Sequence, residues 1–520
     1  MKTDIFTANL QAENTALKSE NAKLKTLVKY YEEQFSLNKH RQFGTSSEKS
    51  EYDLKQLLIF NEAEAAADAN VPEPELVEVE RHYRKRTRLT TDKLPDNLPI
   101  EVVEHDLPAN EQICPECGGD LHVMGRDTRR ELVIVPAQVK IREHVRKIYA
   151  CRDCEKDECN VPIVKAPVDE PVLKGSFASP EAIAHIMTQK FVMGAPLYRQ
   201  EQDFKRNGIL LSRQTMSNWL LKATEDLLEP IYNVLREILC NYPVLHADET
   251  TLQVLCEPGK TAQSKSYMWL YRTSGDARHP IVLYDYQPDR KTQRLADFLK
   301  DFKGYLHTDG YASYHKLPEH IIIVGCWAHV RRKFDEALKA LPEHDRDGSN
   351  SLIGKRYCDK LFDLERGFAD MPADVRFEKR QEFSQPVMEE FFAWANALNP
   401  TPKMGIGKAV HYALSQRKYI ERYLMDGRLE ISNNRAERSI KPFVIGRKNF
   451  LFANTPRGAK ASAIMFSLIE TAKENGLNPF AYLTYVFTEA PKMDIRNNID
   501  ALQSLLPHFV PERLKTPPRT

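Results

Sequence analysis

No long apolar run occurs in this 520-residue sequence; the longest is about Ile321 to Ala328. A membrane-spanning helix needs roughly 18 such residues, and the N-terminus lacks the apolar core of a signal peptide. A cytoplasmic chain with no membrane partner is expected. Net charge is also absent, with 74 Lys plus Arg against 73 Asp plus Glu. Any contact with a polyanion must therefore come from local clusters rather than from a basic chain. Cysteine is scarce, nine in all, and in a reducing compartment these read as thiols or metal ligands rather than as a disulfide frame. At 42% hydrophobic content the chain is too long for one core. Three to five folded units are expected, which argues against a simple small-molecule enzyme.

Residues 1–42 carry Leu10, Asn14, Leu17, Asn21, Leu24, Val28, Tyr31 and Phe35, alternating steps of four and three. This is the seam of a coiled coil, with asparagines that fix register at a cost in stability. The alternative is one amphipathic helix packed on its own domain. Residues 43–98 form a linker, poor in apolar period between Asn61 and Pro74 and then basic at Arg81, Arg84, Lys85, Arg86 and Arg88. That cluster suits phosphate contact or plain solvation equally. In residues 99–170, Cys114-Pro-Glu-Cys117 and Cys151-Arg-Asp-Cys154 flank a segment of strand-like alternation. Two such pairs offer four thiolates to a structural Zn2+ ion, with no open position for chemistry. Cys159, His122 and His144 are possible substitutes in that ligand set.

Residues 171–240 are helical, and Ser212 is a predicted N-cap after the Asn207-Gly208 turn. Helix, turn and capped helix suggest a helix-turn-helix with Arg213, Gln214 and Asn218 exposed for base edges. The plainer reading is a helical hairpin with Trp219 and Leu220 in its core. Residues 241–329 give five predicted strands, Pro243–Ala247, Tyr267–Arg272, Ile281–Tyr286, Tyr305–Thr308 and Ile321–Trp327, with a helix near Arg290–Phe302. Residues 330–425 are almost wholly helical. A further helix opens at Asn433 within 426–455, and 456–520 reads as helical to about Phe487, then proline-rich and loose.

Two strands end in acids, His246-Ala247-Asp248 and His307-Thr308-Asp309-Gly310. Ligands of α/β sheets collect beyond strand carboxyl ends, so two such aspartates can hold a divalent cation. A third acid, Glu437, stands alone between Asn433 and Lys460 among Arg435, Arg438, Lys441, Arg447, Lys448, Arg457 and Lys460. Seven cations suit a polyanion, and a single carboxylate among them suits a metal. The simpler alternative is a surface pair between Glu437 and Lys441, worth tenths of a kcal/mol. Glu249 points to the opposite face of its strand and reads as structural. His246 and His307 share the faces of the aspartates and read as packed histidines. Cys326 and His329 do not read as a metal pair; orientation of the helical segment is the role expected of His329, with approach to a DNA phosphate as the alternative.

These residues resemble the DDE transposases of the insertion-sequence-66 group. The resemblance rests on Asn433-Asn434-Arg435-Ala436-Glu437-Arg438, with Lys441-Pro442 and Gly446-Arg447-Lys448-Asn449-Phe450 following. It rests also on His246-Ala247-Asp248-Glu249-Thr250, His307-Thr308-Asp309-Gly310-Tyr311, Cys326-Trp327-Ala328-His329 and Phe43-Gly44-Thr45-Ser46-Ser47-Glu48-Lys49. With the heptads and cysteine pairs it covers nearly the whole chain. It implies a multidomain α+β protein: a ribonuclease-H-like catalytic core with a helical insertion, a zinc ribbon, a helical DNA-binding region and an N-terminal coiled coil. It implies Asp248, Asp309 and Glu437 as a triad holding two Mg2+ or Mn2+ ions, with 61 and 128 positions between successive members. The expected reaction cleaves insertion-sequence ends and joins the freed 3′-OH to target DNA by in-line transfer. Expected partners are terminal-repeat and target DNA, a homodimer or larger synaptic assembly, and small accessory proteins of the same element, with the protein on the nucleoid when bound. The competing account is a non-catalytic DNA-binding regulator, or a decayed transposase, using the same modules for affinity alone.

Overall fold

The computed structural model describes most of residues 14–35, and residues 139–150, 163–495 and 498–515. The chain divides into two compact units, residues 49–167 and residues 1–48 with 168–520. In the smaller, β1 (Ile148–Ala150) pairs antiparallel with β2 (Ile163–Lys165), Ile148 facing Lys165. The predicted zinc ligands Cys114, Cys117, Cys151 and Cys154, with His122, Cys159 and the basic stretch 81–88, lie outside the described residues. His144 is exposed. At the N-terminus the described residues of 14–35 are helical, and Leu17, Leu24, Val28, Tyr31 and Phe35 are each more than half exposed. Leu10 lies outside the described set.

In the larger unit, α1 (Pro180–Phe191) starts at Ser179, whose hydroxyl accepts from the Ala182 amide. Next, α2 (Leu197–Arg206) ends at a turn where Gly208 takes φ +77°, a region that favours glycine. Ser212 caps α3 (Arg213–Ala223) by accepting from the Thr215 amide. One wider turn leads into α4 (Glu229–Cys240). Trp219 and Leu220 are buried.

The sheet contains β3 (Val244–Gln253), β4 (Lys265–Thr273), β5 (Val282–Gln287), β6 (Gly304–His307) and β7 (Ile321–Val324), with α5 (Thr292–Phe298) before β6. Their order is β5-β4-β3-β6-β7: the first three form an antiparallel meander, and β6 and β7 run parallel to β3. Two expectations shift here. Asp248 does not close its strand, because β4 continues to pair with β3 as far as Gln253. The last strand stops at Val324, and Trp327 instead opens the next helix.

From β7 the chain passes through α6 (Trp327–Lys339), α7 (Asn350–Phe368), α8 (Ala373–Lys379), α9 (Gln385–Ala397) and α10 (Gly405–Ile420). These helices enclose a second apolar core around Trp327, Phe334, Phe391 and Phe392, which also takes in Val244 and Val324 from the sheet. The chain then returns as α11 (Asn434–Phe450), α12 (Pro456–Glu474) and α13 (Pro479–Glu489). On α12, Ser467 and Thr471 accept from the amides of Tyr284 and Val282 at 2.7 and 3.0 Å, so side chains cover the β5 edge. The segment after Phe487 is not loose: Ile495, Leu502, Leu505, Leu506 and Val510 are buried in the main core. Among the described residues, no helix is long and apolar enough to cross a membrane.

Arg380, fully buried, donates to the carbonyls of Tyr423, Asp426 and Leu429 and pairs with Glu365 at 2.6 Å. It ties the helical segment to the stretch leading into α11. Arg380→Ala leaves a part-buried carboxylate and three carbonyls without their donor, and a loss of about 3–5 kcal/mol is expected in urea unfolding.

Candidate active site

The parallel pairing of β3 with β6 ends at His246 and His307. Asp248 lies two residues beyond that pair on one strand and Asp309 two residues beyond it on the other. The aspartates thus share one end of adjacent parallel strands, where ligands of such sheets collect. Glu437 reaches the same place from the first turn of α11.

A single residue fixes the approach of that helix. Asn433, 1% exposed, precedes α11, yet its side chain makes no cap bond. Instead its amide donates to the Ala247 carbonyl at 2.8 Å, and its carbonyl oxygen lies 2.9 Å from His246 Nδ1. Its backbone N–H donates to Cys326 Sγ at 3.1 Å. Asn433 therefore joins α11, β3 beside Asp248, and the start of α6. His246 and His307 are fully buried and stacked at 4.4 Å. His307 Nε2 accepts from the Glu430 amide at 3.2 Å. Burial pushes the His246 pKa down to about 3 and that of His307 well below its usual value, so both are neutral packing groups.

Asp248, Asp309 and Glu437 line one open cleft of about 240 Å³ with His329, Asn433, Ile440 and Lys441. The Asp248 carboxylate accepts from the Glu249 amide at 2.8 Å, and Asp309 from the Tyr311 amide at 2.9 Å. Burial, followed by the charge of Glu249 and then those of Asp309 and Glu437, pushes the Asp248 pKa up to about 8. Such crowding of like charges is what a bound cation relieves. Glu437 is partnered not by Lys441 but by α6: Arg332 at 3.3 Å and His329 at 3.7 Å. For His329, burial pulls the pKa down, but Cys326 and Glu437 outweigh it and raise it to about 9.

Glu249 faces away from the cleft, as its strand position predicts. It pairs with Arg290 and accepts from the Tyr314 hydroxyl, and the Arg290 guanidinium lies 3.4 Å from the centre of the Tyr311 ring. This network braces the Asp309 turn from behind. Gly310 has no room for a side chain there, because a Cβ would meet the Tyr412 hydroxyl at 2.8 Å.

The side chains expected to meet DNA divide into two sets. Arg213, Gln214 and Asn218 are exposed on α3, the last two joined by a 3.1 Å hydrogen bond. Arg438, Lys441 and Lys448 are exposed on α11. Arg435 and Arg447 are instead drawn inward, Arg435 to Glu430 at 2.6 Å and Arg447 to the Thr250 hydroxyl at 3.2 Å and the Thr251 carbonyl. Arg457 and Lys460 pair with Glu225 and Glu229 across to the helical region.

Cys326 and His329, not read as a metal pair from the sequence, place their ligand atoms and one Glu437 oxygen all within 4.8 Å of one another. The signal available in the sequence was the i,i+3 spacing, which puts both residues on one face at a helix start. Asn433 also appeared in a motif, but nothing in the sequence assigned it a role.

The mixed sheet thus gathers three acids and a helix with exposed cations at one end of its parallel strands. Sequence comparison makes this specific. The profile described as "Transposase IS66 family" matches residues 175–461. The zinc-finger binding domain of transposase IS66 matches residues 111–155, the IS66 C-terminal element 467–508, and a profile described as "Transposase C of IS166 homeodomain" 30–103. The chain belongs to the IS66 transposase family. Similar curated proteins include y4jD of Sinorhizobium fredii, 30% identical over 80% of this chain and 81% of its own length. Another from that organism, y4qI, is 32% identical over 77% of this chain and 74% of its own. Both are described as uncharacterized.

The raised Asp248 pKa yields a pH prediction. Between its ordinary value of 3.8 and about 8 the folded protein holds a proton that the unfolded chain has released. This group's contribution to stability therefore falls as pH rises through that window. Metal-free Asp248→Asn is expected to melt above metal-free wild type at pH 8, and added Mg2+ is expected to raise Tm in wild type and less in the variant. Differential scanning calorimetry with and without Mg2+ reads both.

Proposed function

We propose that this chain is an active transposase that cleaves insertion-sequence ends and joins the freed 3′-OH to target DNA. The observation that carries the reading is the meeting of Asp248, Asp309 and Glu437 in one open cleft, although they are widely spaced in sequence. The sheet order, a three-stranded antiparallel meander extended by two parallel strands, supports a ribonuclease-H-like core. The helices from Trp327 to Ile420 read as an insertion between β7 and the helix bearing Glu437.

The three carboxylates fit hard divalent cations, because all offer oxygen and Asp248 is crowded by its neighbours. Mg2+ or Mn2+, two ions in our reading, would be held by Asp248, Asp309 and Glu437 and supply activation of the attacking oxygen and neutralisation of the leaving 3′ oxygen. The chain's own residues do the rest. Asn433 sets the distance of Glu437 from Asp248 through its bonds to Ala247 and His246. The Tyr311 amide and the Arg290–Glu249 pair hold the Asp309 carboxylate in its turn. Lys441 lines the cleft and Arg438 and Lys448 are exposed on the same helix, which suits a phosphate backbone approaching the acids. Arg213, Gln214 and Asn218 have the side chains that read base edges from the N-terminal part of a helix. Zinc held by Cys114, Cys117, Cys151 and Cys154 would build a separate structural module. The exposed apolar seam of the N-terminal helix suits pairing with a second copy of the chain in a dimer or synaptic assembly.

The test is strand transfer on a terminal-repeat duplex in Mg2+. Asp248→Asn, Asp309→Asn and Glu437→Gln are each expected to lower the rate by roughly three orders of magnitude or more while still retarding end DNA in gels. Undiminished turnover by any of them would falsify the triad. Wild type that footprints end DNA yet fails to cut it with any divalent ion supports the regulator instead. Salt dependence separates the cations. Lys441→Ala should reduce the slope of log K against log salt by about one, whereas Arg435→Ala, already paired with Glu430, should leave it nearly unchanged.

A further inference from the structure

A second set of potential metal ligands shares Glu437 with the three acids and differs from them in chemistry. Cys326 stands at the N-cap of α6 and His329 one turn further on, so both point from the same face. Across from them, Glu437 Oε1 lies 3.7 Å from His329 Nε2. The thiol sulfur, one imidazole nitrogen and that carboxylate oxygen lie within 4.8 Å of one another. Cys326 is 3% exposed, and its sulfur receives the Asn433 N–H. His329 Nδ1 and Glu437 Oε1 are both buried atoms with no hydrogen-bond partner, whereas buried polar atoms are nearly always satisfied. The other Glu437 oxygen is taken by Arg332. His329 and Glu437 also face the open cleft, which leaves space for a water as fourth ligand.

Sulfur, imidazole nitrogen and one carboxylate are the donors of a zinc-class cation and poor ligands for magnesium. We propose that Cys326, His329 and Glu437 form a site for a soft divalent cation, Zn2+ or its analogues, and that filling it withdraws Glu437 from the hard-ion site. Glu437 then belongs to one of two alternative metal centres, and soft and hard ions compete through one side chain. The withdrawal rests on the catalytic reading above; the binding site itself does not. The competing description is a purely internal network in which His329 and Arg332 pair with Glu437 and no metal enters.

Cobalt, a coloured stand-in for zinc, distinguishes the two. The full-length protein is purified with zinc present, desalted and titrated with Co2+, alongside Cys326→Ser. Any cobalt at Cys114, Cys117, Cys151 and Cys154 is common to both proteins and cancels in the difference. Zinc plus cobalt bound to wild type should exceed that bound to the variant by one equivalent, with a near-ultraviolet thiolate-to-cobalt band in the difference spectrum once cobalt displaces zinc. His329→Gln should lose the same equivalent. Identical totals of zinc plus cobalt overturn the site. Should neither variant fold, wild type decides alone, because total uptake of zinc plus cobalt limited to one equivalent overturns it as well.

The shared carboxylate is tested by adding Zn2+ to Mg2+-supported strand transfer, each protein normalised to its own zinc-free rate. The half-inhibitory Zn2+ concentration should be at least about ten-fold higher for Cys326→Ser than for wild type, about 1.4 kcal/mol by the usual conversion. Equal sensitivity overturns the competition. A wild type without any strand transfer defeats the transposase reading and leaves the cobalt result standing by itself.

Discussion

The fold around the cleft is governed by the cost of bringing carboxylates together. Asp248 is half-buried beside Glu249, Asp309 and Glu437, and its ionised form is opposed by every one of them. Coulomb repulsion alone would push α11 away from the sheet. What holds it is a set of neutral contacts. Asn433 donates to Ala247 and bonds His246, and His307 stacks beneath and accepts from the Glu430 amide. Burial keeps both imidazoles uncharged, so the floor is polar and rigid without contributing cations that would neutralise the acids. Charge-free hydrogen bonds thus position the sheet side of a charged site; Arg332 and His329 offset Glu437 from the other side, and the crowding at Asp248 remains available to a divalent ion.

A second constraint lies at the opposite edge of the sheet. As an edge strand, β5 presents backbone groups that would otherwise template another strand. Ser467 accepts from Tyr284 N–H, while Thr471 both accepts from Val282 N–H and donates to its carbonyl, so α12 takes the place of a sixth strand. The side chains that do this are small and polar on the part of α12, Ala459 to Ala472, that is mostly buried. With the edge closed in this way, the residues after α13 fold back onto the same core.

Much of this was legible in the sequence, and the gaps have physical causes. All five sheet strands announced themselves by short apolar runs between turns, and Ser212 by its position before an amphipathic stretch. The end of β3 was not legible, because its continuation to Gln253 depends on partners in β4 more than ten residues away. The packing of Leu502, Leu505 and Leu506 was missed for a similar reason: a few apolar residues among prolines look loose until a surface is there to receive them. In the site, the three acids stood out by their surroundings. Which cations remain free did not, since Arg435 and Arg447 carry the same formal charge as Lys441 and differ only in finding Glu430 and Thr251 within reach.

The long helical segment between β7 and α11 contributes directly to the cleft. It provides Cys326, His329 and Arg332 from α6 on one side of Glu437, and Tyr412 from α10 behind Gly310 on the side of Asp309. Trp327 strengthens the link: its backbone N–H donates to Ile431 and its indole to Ile420, joining both ends of the segment to the approach of α11. Two of the three acids are thus positioned by helices that lie between them in sequence. Glu437 is therefore held from two sides, by Asn433 on the sheet and by His329 and Arg332 on α6, while Asp248 is fixed by the strands that flank it.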